Sequence, residues 1–373
     1  MHPLTDTAIQ HLRRLIAFPT VSGMPNLDAL HHIAGHLASA GASVEVIEDG
    51  TTGRGNLIAH FGHLRVGGLM LAGHIDVVPV DAREWDADPF EAEVTADRII
   101  ARGAADMKGF LACVMALLGT GSAFGCPVTF VVTDDEERTF SGARHLIAQL
   151  EIRNLRPRLN VVGEPTLCRV AIAHPGFSDW ATTFTGTEGH SGEVDPEAGA
   201  IDAALRFMSR LRAAAREARD MAPRINFGQI AGGTARNIVP ATCTLHWEAR
   251  VASPAQSDWL AAWLAANSDH SEINECVGSA DSFASKADPD LLNLCRTVTG
   301  SDAIRVRYAS EAGLYQSAGI PTVVVGPGDI AVAHRPGEFL EISQISRLLD
   351  CLDRLLDAMS ADAPPIAKAA FHD

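Results

Sequence analysis

Paired cysteines are missing from this chain. Its seven cysteines (Cys113, Cys126, Cys168, Cys243, Cys276, Cys295 and Cys351) are odd in number and show no Cys-x-x-Cys spacing. That pattern speaks against a disulfide framework or a thiolate zinc site, and it fits free buried thiols in a reducing cytoplasm. A long apolar run is missing too: no stretch approaches the roughly 18 residues of a membrane-crossing helix, so membrane residence is not expected. Positive charge is scarce, with 30 Lys and Arg against 46 Asp and Glu and a net charge of −16. Nucleic-acid binding needs a basic footprint, and none is present. An acidic surface can steer a cationic small substrate, and it serves simple solubility equally well. Met1 to Ala17 carries Asp6, His11, Arg13 and Arg14 among its apolar residues, the pattern of an amphipathic helix and not of a secretion signal.

What the chain does have is length, apolar rhythm and a scattered set of oxygen and nitrogen donors. At 373 residues, 47% of them hydrophobic, it exceeds what one core normally supports, so two domains are expected. Leu4 to Phe18 reads as a first helix. Asn26 offers a cap for a second, which Gly41 ends. Short apolar runs at 44–48, 56–61, 69–73, 128–133 and 159–163 alternate with helical patterns, among them an apolar helix from Phe110 to Leu118 and one capped by Ser141. This is βαβ rhythm, predicting an α/β fold with a mostly parallel sheet flanked by helices. Near Val170 the pattern changes. Strand-like stretches at 177–185, 225–230 and 242–250 mix with two helices, one from near Pro196 and one over 254–266. That composition predicts an inserted α+β open-faced sandwich over 170–282. The α/β rhythm then resumes, with a strand at 321–325 and a final helix over 342–359, so the first domain is expected to be discontinuous, 1–169 with 283–373. The tail from Asp362 to Asp373 reads as a loose end.

The donors fall where the apolar runs stop. Leu69 to Gly73 runs into His74, Val128 to Val132 runs towards Glu136 and Glu137, and Leu159 to Gly163 runs into Glu164; Asp76, Asp106 and His334 complete the set. Ligands gather at the carboxyl ends of strands in open α/β sheets. His and carboxylate donors at one rim suit zinc, and two divalent metals about 3.5–4 Å apart can share a carboxylate. Asp106 is the candidate bridge, with His74 and Glu164 on one metal and Glu137 and His334 on the other. Glu136 is left free as a general base, and Asp76 is placed to accept from the His74 ring. Five carboxylates in one cleft would require cations, and two divalent ions offset four of those charges. Zinc is the first expectation, and cobalt or manganese suits the same donors.

Those residues sit in stretches that resemble the M20 metallopeptidase family: Leu71 to Val80, Trp85 with Pro89-Phe90, Arg102 to Gly109, Asp134 to Glu137, Gly163 to Thr166, Gly232 to Pro240, and Gly326 to Ile330 with Ala333-His334. The resemblance implies a two-zinc catalytic domain and a lid domain through which a homodimer forms. It implies Glu136 as the base, Asp76 beside His74, and His190 as an oxyanion donor that in relatives reaches the neighbouring subunit's site. Asn237 and Arg250 match lid positions that hold substrate polar groups. The implied reaction is amide hydrolysis of a small-molecule N-acyl amino acid, an N-acetylated cationic one first. Apart from the resemblance, Glu311 in Ser310-Glu311-Ala312-Gly313 is a candidate partner for a positive substrate side chain, and fits an ordinary loop carboxylate equally well. A desuccinylase or dipeptidase on the same scaffold is the alternative, and a non-catalytic binding protein of this fold a remote one. Departures from the family pattern at Ile75, Ala104-Ala105, Arg138 to Phe140, His174 to Gly176 and Ser191 to Asp195 bear on the choice of substrate more than on hydrolysis.

Overall fold

The computed structural model describes residues 1–121, 124–268 and 271–361; the expected loose tail, Asp362 to Asp373, lies outside the described residues. The chain divides into two compact units. One comprises Met1–Ala173, Ala284–Val306 and Ser310–Asp373, and the other His174–Phe283 with Arg307–Ala309.

In the first unit the apolar runs become the strands of one mixed sheet, in the order Ser43–Glu48, Gly55–Phe61, Val128–Thr133, Leu69–His74, Leu159–Val162, Thr322–Val324. Gly55–Phe61 lies antiparallel to both of its neighbours. From Val128–Thr133 to Thr322–Val324 the pairs are parallel, in a register that sets His74 beside Thr133 and Ala72 beside Val162. Beyond that block Val324 meets Ala171 in antiparallel sense. Every residue of the Leu69–His74, Val128–Thr133 and Leu159–Val162 strands is buried, as expected for a sheet covered on both faces.

All ten residues of the Gly109–Leu118 helix are buried as well, the mark of a helix that packs all round. Two glycines let it approach the strand ends. A Cβ on Gly73 would lie 2.9 Å from Leu111 Cδ2, and one on Gly163 would lie 2.0 Å from the Phe110 ring. Each of these glycines precedes a site residue, His74 and Glu164. The close contact between helix and sheet is therefore what sets the rim.

Two expected caps behave differently from their reading. Asn26 does cap Leu27–Ser39 by position, but its side chain makes no cap hydrogen bond. It donates instead to Gly55 O and Asp134 Oδ1, at 3.2 and 3.0 Å. Ser141 is the first residue of its helix and Phe140, at φ 59°, is the cap residue. The Ser141 hydroxyl donates to Asp135 Oδ2 at 2.8 Å, a local partner that outcompetes the helix end.

The second unit is an antiparallel sheet in the order Arg224–Gly232, Thr242–Val251, Gly176–Thr185, Glu272–Ala280, with the Ala200–Ala218 and Pro254–Asn267 helices packed against it. Burial along Thr242–Val251 alternates residue by residue, so one face meets the helices. The core gathers Phe184, Phe207, Leu211, Trp247 and Leu260, with Trp180 and Trp247 stacked at 5.6 Å. The Glu272–Ala280 strand went unread in the sequence. It is an edge strand with a register shift between Cys276 and Gly278, and its burial does not alternate, so it lacks the period that marks a strand.

Candidate metal centre

Four parallel strands end at one rim, and the first unit's donors meet there. His74 closes its strand and turns its ring by a bond at Nδ1, which stands 2.9 Å from the main-chain oxygen of Asp76. The Asp76 carboxylate is farther, at 3.6 Å. The expected carboxylate–imidazole bond is thus made by the carbonyl, and the carboxylate does something else. It accepts from the backbone amides of Glu136 and Glu137, at 3.1 and 3.3 Å, and from the Ser22 hydroxyl at 2.7 Å. Asp76 therefore clamps the turn that carries both glutamates.

With Nδ1 facing a carbonyl, Nε2 of His74 is the atom turned to the centre. It lies 3.2 Å from Asp106 Oδ1, 3.7 Å from Glu164 Oε1 and 3.9 Å from Glu136 Oε2. On the far side, His334 Nε2 lies 3.1 Å from Asp106 Oδ2 and 3.0 Å from Glu137 Oε1. The two oxygens of Asp106 thus face two different imidazoles. Donor atoms of His74, Asp106 and Glu137 fall within 4.8 Å of one another, as do those of His74, Glu136 and Glu164. The acidic run divides between two tasks: Glu136 and Glu137 face the histidines, while Asp134 and Asp135 pair with Arg54 at 3.2 and 3.6 Å.

Charge is concentrated here. Burial pushes Glu136, Glu137 and Glu164 above the usual carboxylate range, and neighbouring carboxylates push the same way. Burial also opposes a charge on His74, yet Glu136, Asp106, Asp76 and Glu164 outweigh it and raise its pKa well above the ordinary value. Asp106 resists burial for the converse reason, because His334 and His74 hold it below the usual range. Glu164 Oε1 is buried and takes no hydrogen bond, although a buried acceptor normally finds a donor. Oxygen and nitrogen donors, an acceptor without a hydrogen and several carboxylates in low dielectric fit a pair of divalent cations, which would reverse the raised carboxylate values.

Glu311 belongs to the same neighbourhood. It is 1% exposed, accepts from the Thr133 hydroxyl and from Tyr315 Oη at 3.4 Å, and burial above all lifts its pKa to about 7. The remaining expected residues lie in the second unit. His190 pairs with Ile238 across a short ladder, its Nδ1 accepts from the Gly192 amide at 3.1 Å, and the Ser191 amide donates to Asn237 O at 3.0 Å. His190 and Asn237 are thus neighbours within that unit. Arg250 donates to Glu248 Oε1 at 2.8 Å and lies 5.5 Å over the Phe177 ring.

Three supporting residues escaped the sequence reading: Ser22, Lys108 and Glu338. Lys108 is fully buried, with Nζ donating to Leu15 O and Phe18 O at 3.1 and 2.8 Å. It ties off the first helix. Glu338 accepts from the amides of Ala105 and Asp106. Its one signal in the sequence is its place four residues after His334.

The profile of Peptidase family M20/M25/M40 matches residues 70–358. The acetylornithine deacetylase of Photorhabdus laumondii is 31% identical, over 94% of this chain and 96% of its own length. The Pasteurella multocida enzyme of that name is 32% identical, over 93% and 97%. Among solved structures, a dinuclear metal-binding peptidase of family M20 from Bacillus subtilis covers 96% of this chain and 99% of its own, with a TM-score of 0.67 at 16% identity. The chain belongs to peptidase family M20/M25/M40. It is a hydrolase, and its chemistry is metal-dependent hydrolysis of an amide bond.

Proposed function

We propose that the protein deacylates an N-acyl amino acid, N-acetylornithine or a related N-acetylated amino acid, releasing acetate and the free amine. The observation that carries this reading is Asp106, whose two oxygens face His74 and His334, with Glu136 buried beside them. In this reading His74, Asp106 and Glu164 hold one cation, and Asp106, Glu137 and His334 hold the other; zinc is the first choice, and cobalt or manganese fits the same donors. Bound there, the cations would polarise the amide carbonyl and acidify water.

The protein's own groups carry the protons. Glu136, its amide held by Asp76, takes a proton from the attacking water and delivers it to the leaving nitrogen. His190 donates to the developing oxyanion, and Asn237 and Arg250 hold the substrate's polar groups. Glu311 faces the cationic side chain. Replacing Glu311 with Gln is expected to raise KM about tenfold for cationic substrates and leave neutral ones unchanged, since each 1.4 kcal/mol is tenfold; equal loss for both ends the assignment.

The inserted unit serves as lid and dimer contact in this reading. Its edge strand exposes Ile273 and Val277, and an open edge pairs readily with another copy. Among the described residues no helix is long and apolar enough to cross a membrane; we place the protein in the cytoplasm. The deciding experiment is a panel of N-acetyl, N-succinyl and dipeptide substrates with metal analysis of the same sample. Preference for N-acetyl amino acids supports the reading, and preference for succinyl or dipeptide substrates overturns it.

A further inference from the structure

The bridge formed by Asp106 has a second support that none of the donor residues supplies. Asp106 lies between a glycine with φ of +79°, Gly103, and the helix that begins at Gly109, and its own backbone is extended, φ −124° and ψ 98°. In such a turn the amides of Ala105 and Asp106 have no helix partner of the usual kind. Both are buried, and both point at one side chain. Glu338 Oε1 accepts from Ala105 N at 2.9 Å and from Asp106 N at 3.1 Å, while Oε2 accepts from Arg102 at 2.6 Å. Glu338 is 0% exposed and Arg102 3%, and the guanidinium also lies 5.3 Å over the Trp85 ring. A buried carboxylate with three donors, one of them a cation, is well satisfied.

We propose that Glu338, charge-balanced by Arg102, is the positioning residue of the cation centre. It fixes the Ala105–Asp106 backbone so that the Asp106 carboxylate presents one oxygen to each imidazole. His334 and Glu338 come from the same short loop, His334-Arg335-Pro336-Gly337-Glu338. That loop grips Asp106 twice, by the side chain through His334 Nε2 at 3.1 Å and by the amide through Glu338. The main chain holds the loop in register, with Ala101 N donating to Glu338 O at 3.0 Å and Phe339 paired with Ile100. The side-chain bonds of Glu338 go to Arg102 and to the amides of Ala105 and Asp106, so its effect on the centre passes through Asp106.

The inference rests on the reading of Asp106 as a shared metal ligand, and its test separates the two. Full-length protein stripped by chelation is titrated with zinc alone, by calorimetry, with bound metal per chain measured after dialysis. Wild type should take two equivalents. Glu338→Gln should bind at least one of them about 10- to 100-fold more weakly, the usual effect of losing an outer partner of a ligand. Glu338→Asp, which keeps the charge, should recover part of that loss, and Arg102→Gln should weaken zinc in the same direction. Leu340→Ala, a core truncation in the adjacent strand, should lower the melting temperature and leave zinc affinity at the wild-type value. Should Glu338→Gln not fold, Arg102→Gln decides by the same measurement. Zinc affinity unchanged in the folded variants overturns the inference alone, and so does an equal weakening in Leu340→Ala. A wild-type protein that takes up no zinc overturns the cation-pair reading beneath it.

Discussion

The two units place their polar residues under opposite regimes. In the first, His74, Asp76, Asp106, Glu136 and Glu164 are at most 6% exposed, so each must answer to the others. In the second, His190 and Arg250 are exposed and make only local bonds, to Gly192 and Glu248. Burial makes chemistry visible: a carboxylate out of water needs a partner, and four together call for cations. An exposed histidine with only local bonds, such as His190, makes no such demand, whereas His334, exposed as well, is fixed by Asp106 and Glu137.

The largest expected effect tests the crowded region. Glu136→Ala should lower kcat about 10²- to 10⁴-fold, the usual worth of a general base, with bound metal unchanged. Loss of metal along with turnover would make Glu136 a ligand and erase the division of labour in the acidic run. Next comes the exposed region. His190→Ala should lower kcat about 10²- to 10³-fold, as for the loss of one oxyanion donor, while metal content and melting temperature stay put. A variant with wild-type kcat would mean that His190 is merely solvated, and the contrast between the two sites would be total.

The smallest effect concerns histidines of the first unit that lie away from the centre. Burial first, then His36 and His32, hold the His11 pKa down to about 4 from an ordinary 6.5, and the His11 and His36 rings are 4.4 Å apart. Between pH 6.5 and about 4 the unfolded chain binds a proton here that the folded chain refuses, so stability falls as pH drops through that window. His11→Gln should flatten that limb in melting curves recorded from pH 7 to 4. An unaltered slope would assign the acid sensitivity elsewhere.

Much of this was legible in the sequence because the parallel strands announce themselves. Leu69 to Gly73 is a continuous apolar run and Leu159 to Gly163 is broken only by Asn160; each stops at a glycine and a donor, and the structure shows why: a side chain at either glycine would collide with the buried helix. The antiparallel strand Gly55–Phe61 was found as a strand, but nothing local tells its direction. Partners distant in sequence left no trace. Asn26 looked like a helix cap and instead ties Gly55 to Asp134. Asp76 looked like a partner of the His74 ring, and its carboxylate holds the amides of Glu136 and Glu137. Glu338 drew no reading at all. Each is a contact across 29 residues or more, which neither period nor spacing encodes.

The discontinuity of the first unit has a consequence for its biogenesis. His74, Asp106, Glu136, Glu137 and Glu164 precede the inserted unit, whereas His334 and Glu338 follow it. During synthesis the early acidic residues leave the ribosome well before the loop that faces and braces Asp106. The nascent chain therefore passes through a stage with those carboxylates translated and its closing histidine still to come, and a complete centre has to wait for the loop that follows the inserted unit.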